Sequence, residues 1–431
     1  MPPTIPTPAG LPGLHALQQM WRERSVLGAL TVFNRELGNI FRLTLPGFDA
    51  VMLVGPEAAR FVLVSGRDDF RWRMEADPVT MLLRHGVLVE DGDSHDQLRR
   101  AMNPALHKQM LQTYVEAIWR GTDQVMSRWS DNNTVNMLVE MRRVALLVLL
   151  DTLFKVDFSP DMDRLWQAVL KTLNYISPGV WMFSSRIPRP GYANGLRQMD
   201  EYLYQMIRLR RSHLGEPTDL LGLLISDPGM DDNLIRDQLL TMLIAGHDTS
   251  TALLSWTLYL LGKHPDIMAQ AQTEVRAVLN DQPPTFDQLN KLPLLDQIID
   301  ESLRLYPPIH LGSRVAAQDL DFNGYTITAG TRVMYSIYVT QRMPEYWDAP
   351  DEFRPQRFAP DAPKPAPYTY LPFGGGPRNC IGAAYAQLEA KVILARILQK
   401  RALTLLPRRV NAHMGATLEP RPGVWMTTRP I

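Results

Sequence analysis

Residues 373–382 read Phe373-Gly374-Gly375-Gly376-Pro377-Arg378-Asn379-Cys380-Ile381-Gly382, and they hold the only cysteine of the chain. Three consecutive glycines let the backbone turn sharply and approach a neighbouring segment closely. Pro377 fixes one dihedral and removes a hydrogen-bond donor. A helix is expected to begin near Gly382, which places Cys380 at its N-terminus. There the helix dipole and free N–H groups favour a thiolate, and Arg378 adds positive charge nearby. A thiolate held in this way suits ligation of one metal in a flat cofactor. On the loop alone two other readings stay open: a small buried thiol under a tight turn, or a nucleophile with His247 or His310 as its base.

The composition around that loop excludes several classes. A chain of 431 residues buries about three quarters of the surface its unfolded form exposes, so it needs no disulfide or structural metal. One cysteine rules out an intrachain disulfide framework, a four-cysteine zinc site and a protein-held iron–sulfur cluster. The 45 basic residues are matched by 45 acidic ones, which argues against nucleic acid as a partner. Residues 1–13 form a proline-rich segment with five prolines and no basic residue, and no apolar core of a secretory signal follows. The longest strongly apolar run, 144–150, falls far short of the ~20 residues that cross a bilayer. A soluble cytoplasmic protein without a transmembrane segment is the expectation.

Along the chain, 43–54 reads as a β-hairpin turning at Pro46-Gly47. From 96 to 279 the pattern is helical, broken at Ser177-Pro178-Gly179, Pro188-Arg189-Pro190-Gly191 and Asp227-Pro228-Gly229. The longest helix is expected over 233–262 and another over 292–305, stopped by Pro307-Pro308. Residues 314–339 read as strands with a primed turn at Asn323-Gly324, 347–368 as irregular, 383–400 as helix, and 403–406 and 424–428 as strands. Helices in the middle with small strand groups near the ends give a mostly α, α+β chain, and no alternating βαβ pattern.

The pattern F-x-x-G-x-R-x-C-x-G, filled by Phe373, Gly376, Arg378, Cys380 and Gly382, resembles the haem-binding loop of the cytochrome P450 family. Three further stretches fit the same family in the same order. Glu301-Ser302-Leu303-Arg304 resembles its E-x-x-R helix, two charges on one helix face, with Arg357 of Pro355-Gln356-Arg357-Phe358 as the third member of that structural ion network. Ala245-Gly246-His247-Asp248-Thr249-Ser250 puts poor helix formers inside the long apolar helix and resembles the family's acid–alcohol pair over the haem. Asp93-Ser94-His95-Asp96-Gln97-Leu98-Arg99-Arg100 places His95 and Arg99 four apart. With Arg314 and Arg378 these two resemble the residues that bind the haem propionates.

The resemblance extends from about Leu11 to the C-terminus. It implies a single P450 domain over 1–431, triangular and mostly helical with small β-sheets. Cys380 then ligates the iron of haem b, Gly246 leaves room for dioxygen, Thr249 donates a hydrogen bond over the haem, and Asp248 relays protons from solvent. The implied activity is that of a haem-thiolate monooxygenase that inserts one atom of O2 into a C–H bond. Keeping both Asp248 and Thr249 argues against a peroxide-driven enzyme or an isomerase; a haem-binding carrier or gas sensor is the other rival. Electrons would come from a separate ferredoxin or flavodoxin with its reductase, docking near Arg100 and Lys108. The substrate would be a lipophilic small molecule: a fatty acid, terpenoid or steroid. Its pocket candidates are Trp72, Met81, Leu82, Val87 and Leu240, then Leu243, Ile244, Ile309, Leu311 and Met414, with a lid over 177–191. The protein is expected to be a monomer.

Overall fold

In a computed structural model of the chain, which describes residues 3–74, 77–178, 189–213 and 215–431, the helix Asp232–Lys263 forms the axis of the molecule. It overruns the expected span by one residue at each end. Asp231 caps its start by accepting the Leu234 N–H at 2.7 Å. Its 32 residues extend about 48 Å at 1.5 Å per residue. A helix that is apolar all round has to be covered all round. Met137–Phe154 packs along it, and Pro190–Ser212, Pro293–Leu305 and Ala383–Lys400 also pack against it. One apolar cluster reaching from Leu82 to Met426 joins these helices.

The strands form four small sheets among the described residues. The largest runs in the order Ile40–Leu45, Phe48–Val54, Arg332–Ser336, Leu311–Ala316, Phe70–Arg71. Only the pairing of Phe48–Val54 with Arg332–Ser336 is parallel. The hairpin at Pro46-Gly47 is present, with Leu45 opposite Phe48. So is the turn between Leu320–Phe322 and Tyr325–Ile327, where Asn323 and Gly324 take φ of 53° and 81°, as a primed turn requires.

Three features depart from the sequence expectations. Strand structure stops at Ser336, whose hydroxyl accepts the Val339 N–H at 3.1 Å and caps a helical turn, Ile337–Thr340. Asn133–Asn136, inside the helical region, pairs with Trp425–Pro430, which also pairs with Arg401–Leu405. Asn411–Met414 and Leu418–Arg421 add a hairpin. Strands of four residues carry too few alternations to register as a period; pairing across the chain stabilises them. The lid expected over 177–191 falls mostly on 179–188, outside the described residues. Pro190–Ser212 continues the chain as a helix.

Candidate active site

The cysteine loop owes its path to close backbone approach. Gly374 and Gly376 take φ of 71° and 66°. A Cβ at Gly376 would sit 2.2 Å from the Leu63 carbonyl oxygen, a contact that neither backbone can yield. The Cys380 N–H donates to the Phe373 carbonyl at 2.8 Å and closes the loop. Protein surrounds the Cys380 sulfur on most sides, yet one face stays accessible. Burial pushes the thiol above its ordinary pKa; the Gly382 N–H and the Arg99 charge pull it down with less effect. Burial here opposes the thiolate that the helix terminus favours. Arg378 donates to the Glu90 carbonyl and lies 3.4 Å from Asp91. A coordinated metal cation would reverse the balance at the sulfur. His247 and His310 are no bases for it. His247 Nε2–H donates to the Arg142 carbonyl at 3.0 Å, and burial lowers the two imidazoles to about 3 and about 4.

Three arginines and a histidine gather at this loop. His95 and Arg99 project from the helix Gly92–Met102. Arg99 donates to both the carbonyl and the side-chain oxygen of Asn379, each at 2.8 Å, tying that helix to the residue before Cys380. His95 Nδ1 meets Asp96 at 2.9 Å; burial first, and the charges of Arg378 and Arg99, lower its pKa, while Asp96 raises it. Arg314 is 8% exposed and lies over the Trp72 ring, 5.0 Å from its centroid. It donates to the Ser313 carbonyl at 2.7 Å, and among the described residues it has no ion-pair partner. Burial brings Arg378 down to about 10, with the nearby Arg314 charge acting the same way. Like charges so placed, with only Asp91 and Asp96 to offset them, fit a ligand that carries two carboxylates. The set of one accessible sulfur, a flat glycine-lined loop and these cations fits haem. Phe373 packs half-buried on the main core, and Gly382 opens the helix Ala383–Lys400.

Between Ile235 and Leu258 the central helix buries every residue except Ala245, Gly246 and Thr249. Their spacing puts them on one face, a short accessible strip midway along an otherwise covered helix. Beside Gly246 the space for a Cβ is taken by Leu149, 2.5 Å away. A larger residue here would have to displace the end of the Leu149 side chain. The Thr249 hydroxyl donates to the Ala245 carbonyl at 2.6 Å. Asp248 is 5% exposed. Its Oδ2 accepts from Thr417 at 2.8 Å, while Oδ1 is buried without a hydrogen bond and lies 3.8 Å from Arg142. Arg142 is held by Glu419, and Glu419 pairs with Arg421 at 2.7 Å. Burial and then the Glu419 charge raise the Asp248 carboxyl to about 6, against the pull of Arg142. Two residues on, Ser250 donates to Glu389, which burial pushes up to about 8.

The E-x-x-R pair is fully buried, Arg304 donating to Glu301 at 2.7 and 2.8 Å. Arg357 completes the network at 3.3 Å from Glu301, and Arg304 also donates to the carbonyls of Gln341, Pro350 and Glu352. Gln341, which no sequence pattern singled out, donates to the Leu303 and Arg304 carbonyls and accepts the Leu371 N–H at 2.7 Å. It thereby connects the ion network to the cysteine loop. Glu419, Arg142 and Thr417 were equally hidden. Glu389 left a signal: it is an acid in an apolar helix. Of the pocket candidates, Trp72, Leu82, Val87, Leu240, Leu243 and Ile244 belong to one apolar cluster. Leu311 and Met414 pack on another, and Met81 and Ile309 are exposed.

The family model for cytochrome P450 matches residues 5–424. A protein of Mycobacterium tuberculosis named as cytochrome P450 139 is 32% identical over 93% of this chain and 97% of its own length. The pentalenene oxygenase of Streptomyces avermitilis is 30% identical over 91% of this chain and 89% of its own. Among solved structures, a retinoic-acid-bound cyanobacterial CYP120A1 superposes with a TM-score of 0.86 at 26% identity, covering all of both chains.

Proposed function

The chain belongs to the cytochrome P450 family, and from that footing we propose that it hydroxylates a C–H bond of a terpenoid or similarly lipophilic molecule. It is an oxygenase that uses haem and dioxygen; the finer reading concerns substrate, electron source and residue roles. Pentalenene and retinoic acid, named with two of the similar proteins, share isoprenoid skeletons. That favours a terpenoid over a fatty acid or steroid. Electrons would come from a separate ferredoxin or flavodoxin and its reductase, with the exposed Arg100 and Lys108 as contacts. The enzyme would act in the cytoplasm, as a monomer formed by one domain over 1–431.

Haem, taken as haem b, supplies the oxidising chemistry when bound: two electrons and two protons split dioxygen, one atom entering the substrate and the other leaving as water. Cys380 would hold the iron, and His95, Arg99, Arg314 and Arg378 would offset the propionates. Phe373, Gly382 and Gly246 would border the ring. Asp248 supplies protons from a carboxyl lifted to about 6, so that part of the population carries a proton at neutral pH. Thr249 presents its hydroxyl in the accessible strip one residue on. Trp72, Leu82, Val87, Leu240, Leu243 and Ile244 would give the substrate an apolar wall; Met81, Ile309, Leu311 and Met414 would add to its rim.

The observation that carries this reading is the buried Asp248 standing directly beside the accessible Thr249, with Arg142 and Glu419 joining the acid to the partly exposed Arg421. The test uses purified haem-loaded enzyme with a surrogate ferredoxin and reductase, screened against terpenoids by spin shift and then by labelled dioxygen. One labelled oxygen per product is expected. Thr249→Ala should keep haem and substrate binding while diverting most electrons to hydrogen peroxide. Turnover with hydrogen peroxide alone, and none with the electron donors, would make this a peroxide-driven enzyme. A Cys380→Ala protein that kept a thiolate-type carbon monoxide spectrum would sink the haem assignment.

A further inference from the structure

The helix Leu11–Glu23 inverts the usual arrangement of a surface helix, whose apolar stripe faces inward. Its small inner face is carried by Ala16, packed with Ala29, Val32, Met20 and Phe33. Leu11, Leu14, Leu17 and Trp21 are instead 52–87% exposed. At 100° per residue these four lie within an arc of about 120°, on the side away from Ala16. Exposed apolar residues scattered singly mean little, but an aligned stripe with a tryptophan at one end marks a contact surface.

The charges at that end favour one occupant. Trp21, Arg22, Arg24 and Arg409 line a single shallow cleft with Met20. Arg409 donates to the Arg22 carbonyl at 3.1 Å and to Asn411 at 3.1 Å. None of the three arginines has an ion-pair partner among the described residues. The acids near them are engaged elsewhere: Glu23 accepts from Gln19 at 2.5 Å, and Glu36 meets His15 at 2.9 Å and Arg35 at 3.1 Å. An apolar stripe with a terminal tryptophan, flanked by unpaired arginines, is the pattern of a helix lying in a membrane interface. A second copy of the chain fits poorly. Stripe on stripe would bring the arginine clusters together, and four side chains fall short of the roughly 1,000 Å² that a stable pair buries. No helix among the described residues is long and apolar enough to cross a membrane, so any contact through this helix is peripheral.

We propose that the outer face of Leu11–Glu23, with Arg22, Arg24 and Arg409, docks the protein on an anionic phospholipid surface. The apolar stripe enters the headgroup boundary, and the guanidinium groups meet lipid phosphates. A lipophilic substrate dissolved in that bilayer would then be concentrated where the enzyme sits.

Flotation of the haem-loaded, full-length protein with vesicles tests this. Vesicles of phosphatidylglycerol and phosphatidylcholine should carry at least tenfold more protein than phosphatidylcholine alone, and the excess should fall as salt rises. Leu17→Ser with Trp21→Ser should lower binding to the anionic vesicles by tenfold or more. Each of Arg22→Gln, Arg24→Gln and Arg409→Gln should lower it about fivefold. All five positions are at the surface, so unchanged thermal midpoints are expected to accompany the loss. Equal binding to both vesicle types, binding unmoved by these variants, or no flotation would overturn the proposal. So would a concentration-dependent dimer in lipid-free buffer that the Leu17→Ser, Trp21→Ser protein no longer forms.

Discussion

Asp248 takes its character from residues far away in the chain. Its own helix contributes a neutral His247 and the hydroxyls of Thr249 and Ser250. Charge reaches it from Arg142 on the helix Met137–Phe154 and from Glu419 and Arg421 on the strand Leu418–Arg421, with a hydrogen bond from Thr417. Glu419 holds Arg142, leaving Asp248 Oδ1 without a hydrogen bond. Removing the Glu419 charge does two things of the same sign: it takes a negative charge from beside Asp248 and frees a guanidinium for it. Glu419→Gln should therefore lower the Asp248 pKa by about one unit or more. An infrared titration of its carboxyl band, assigned by loss in Asp248→Asn, measures this. Turnover limited by proton supply should decline at correspondingly lower pH. A band that titrates where it did before would remove Glu419 from the account.

At the scale of elements, helix Pro293–Leu305 is bound to the irregular segment after it by charge in a fully buried setting. Glu301 accepts from Arg304, Arg357 and the Arg354 N–H. Glu301→Gln leaves two guanidinium groups buried or half-buried without a counter-charge. The expected cost is about 3–5 kcal/mol of stability, read by denaturant unfolding of the haem-loaded protein, with faster loss of haem. A cost below about 1 kcal/mol would mean that the carbonyls around Arg304 suffice. The central helix shows the complementary case. Its apolar run and its interruption at 245–250 are legible as a pattern of residue types. That Gly246 lies against Leu149 is not, because the partner lies on another helix and no spacing within 233–262 reports it.

For the whole molecule, buried acids set the pH dependence. Burial raises Asp248 and Asp300 to about 6 and Glu389 to about 8. All three bind a proton more tightly folded than unfolded. Their contribution to stability is complete below about pH 4 and is lost as pH rises through about 6 for the aspartates and about 8 for Glu389. Glu389→Gln keeps an uncharged group beside Ser250 at every pH. Its unfolding free energy should match the parent near pH 4 and exceed it increasingly towards pH 9, by on the order of 5 kcal/mol. A constant difference across that range would show that Glu389 does not ionise as its burial implies.

The sequence by itself determined what depends on neighbours a few residues apart. The glycine turn before Cys380, the long helix over 233–262, the E-x-x-R pair and the primed turn at Asn323-Gly324 all follow from backbone freedom, helix periodicity and local hydrogen bonding. Only the tertiary structure decided which charges meet and which surfaces stay open. Arg142 and Glu419 stand 277 positions apart and meet because a helix and a strand pack on the same central axis. The Cys380 thiol is raised and not lowered because the protein around it outweighs one helix terminus. The outward turn of Leu17 and Trp21 follows from which side of their helix found a partner. Desolvation and Coulomb energy depend on distance in space, and residue order along the chain does not report that distance.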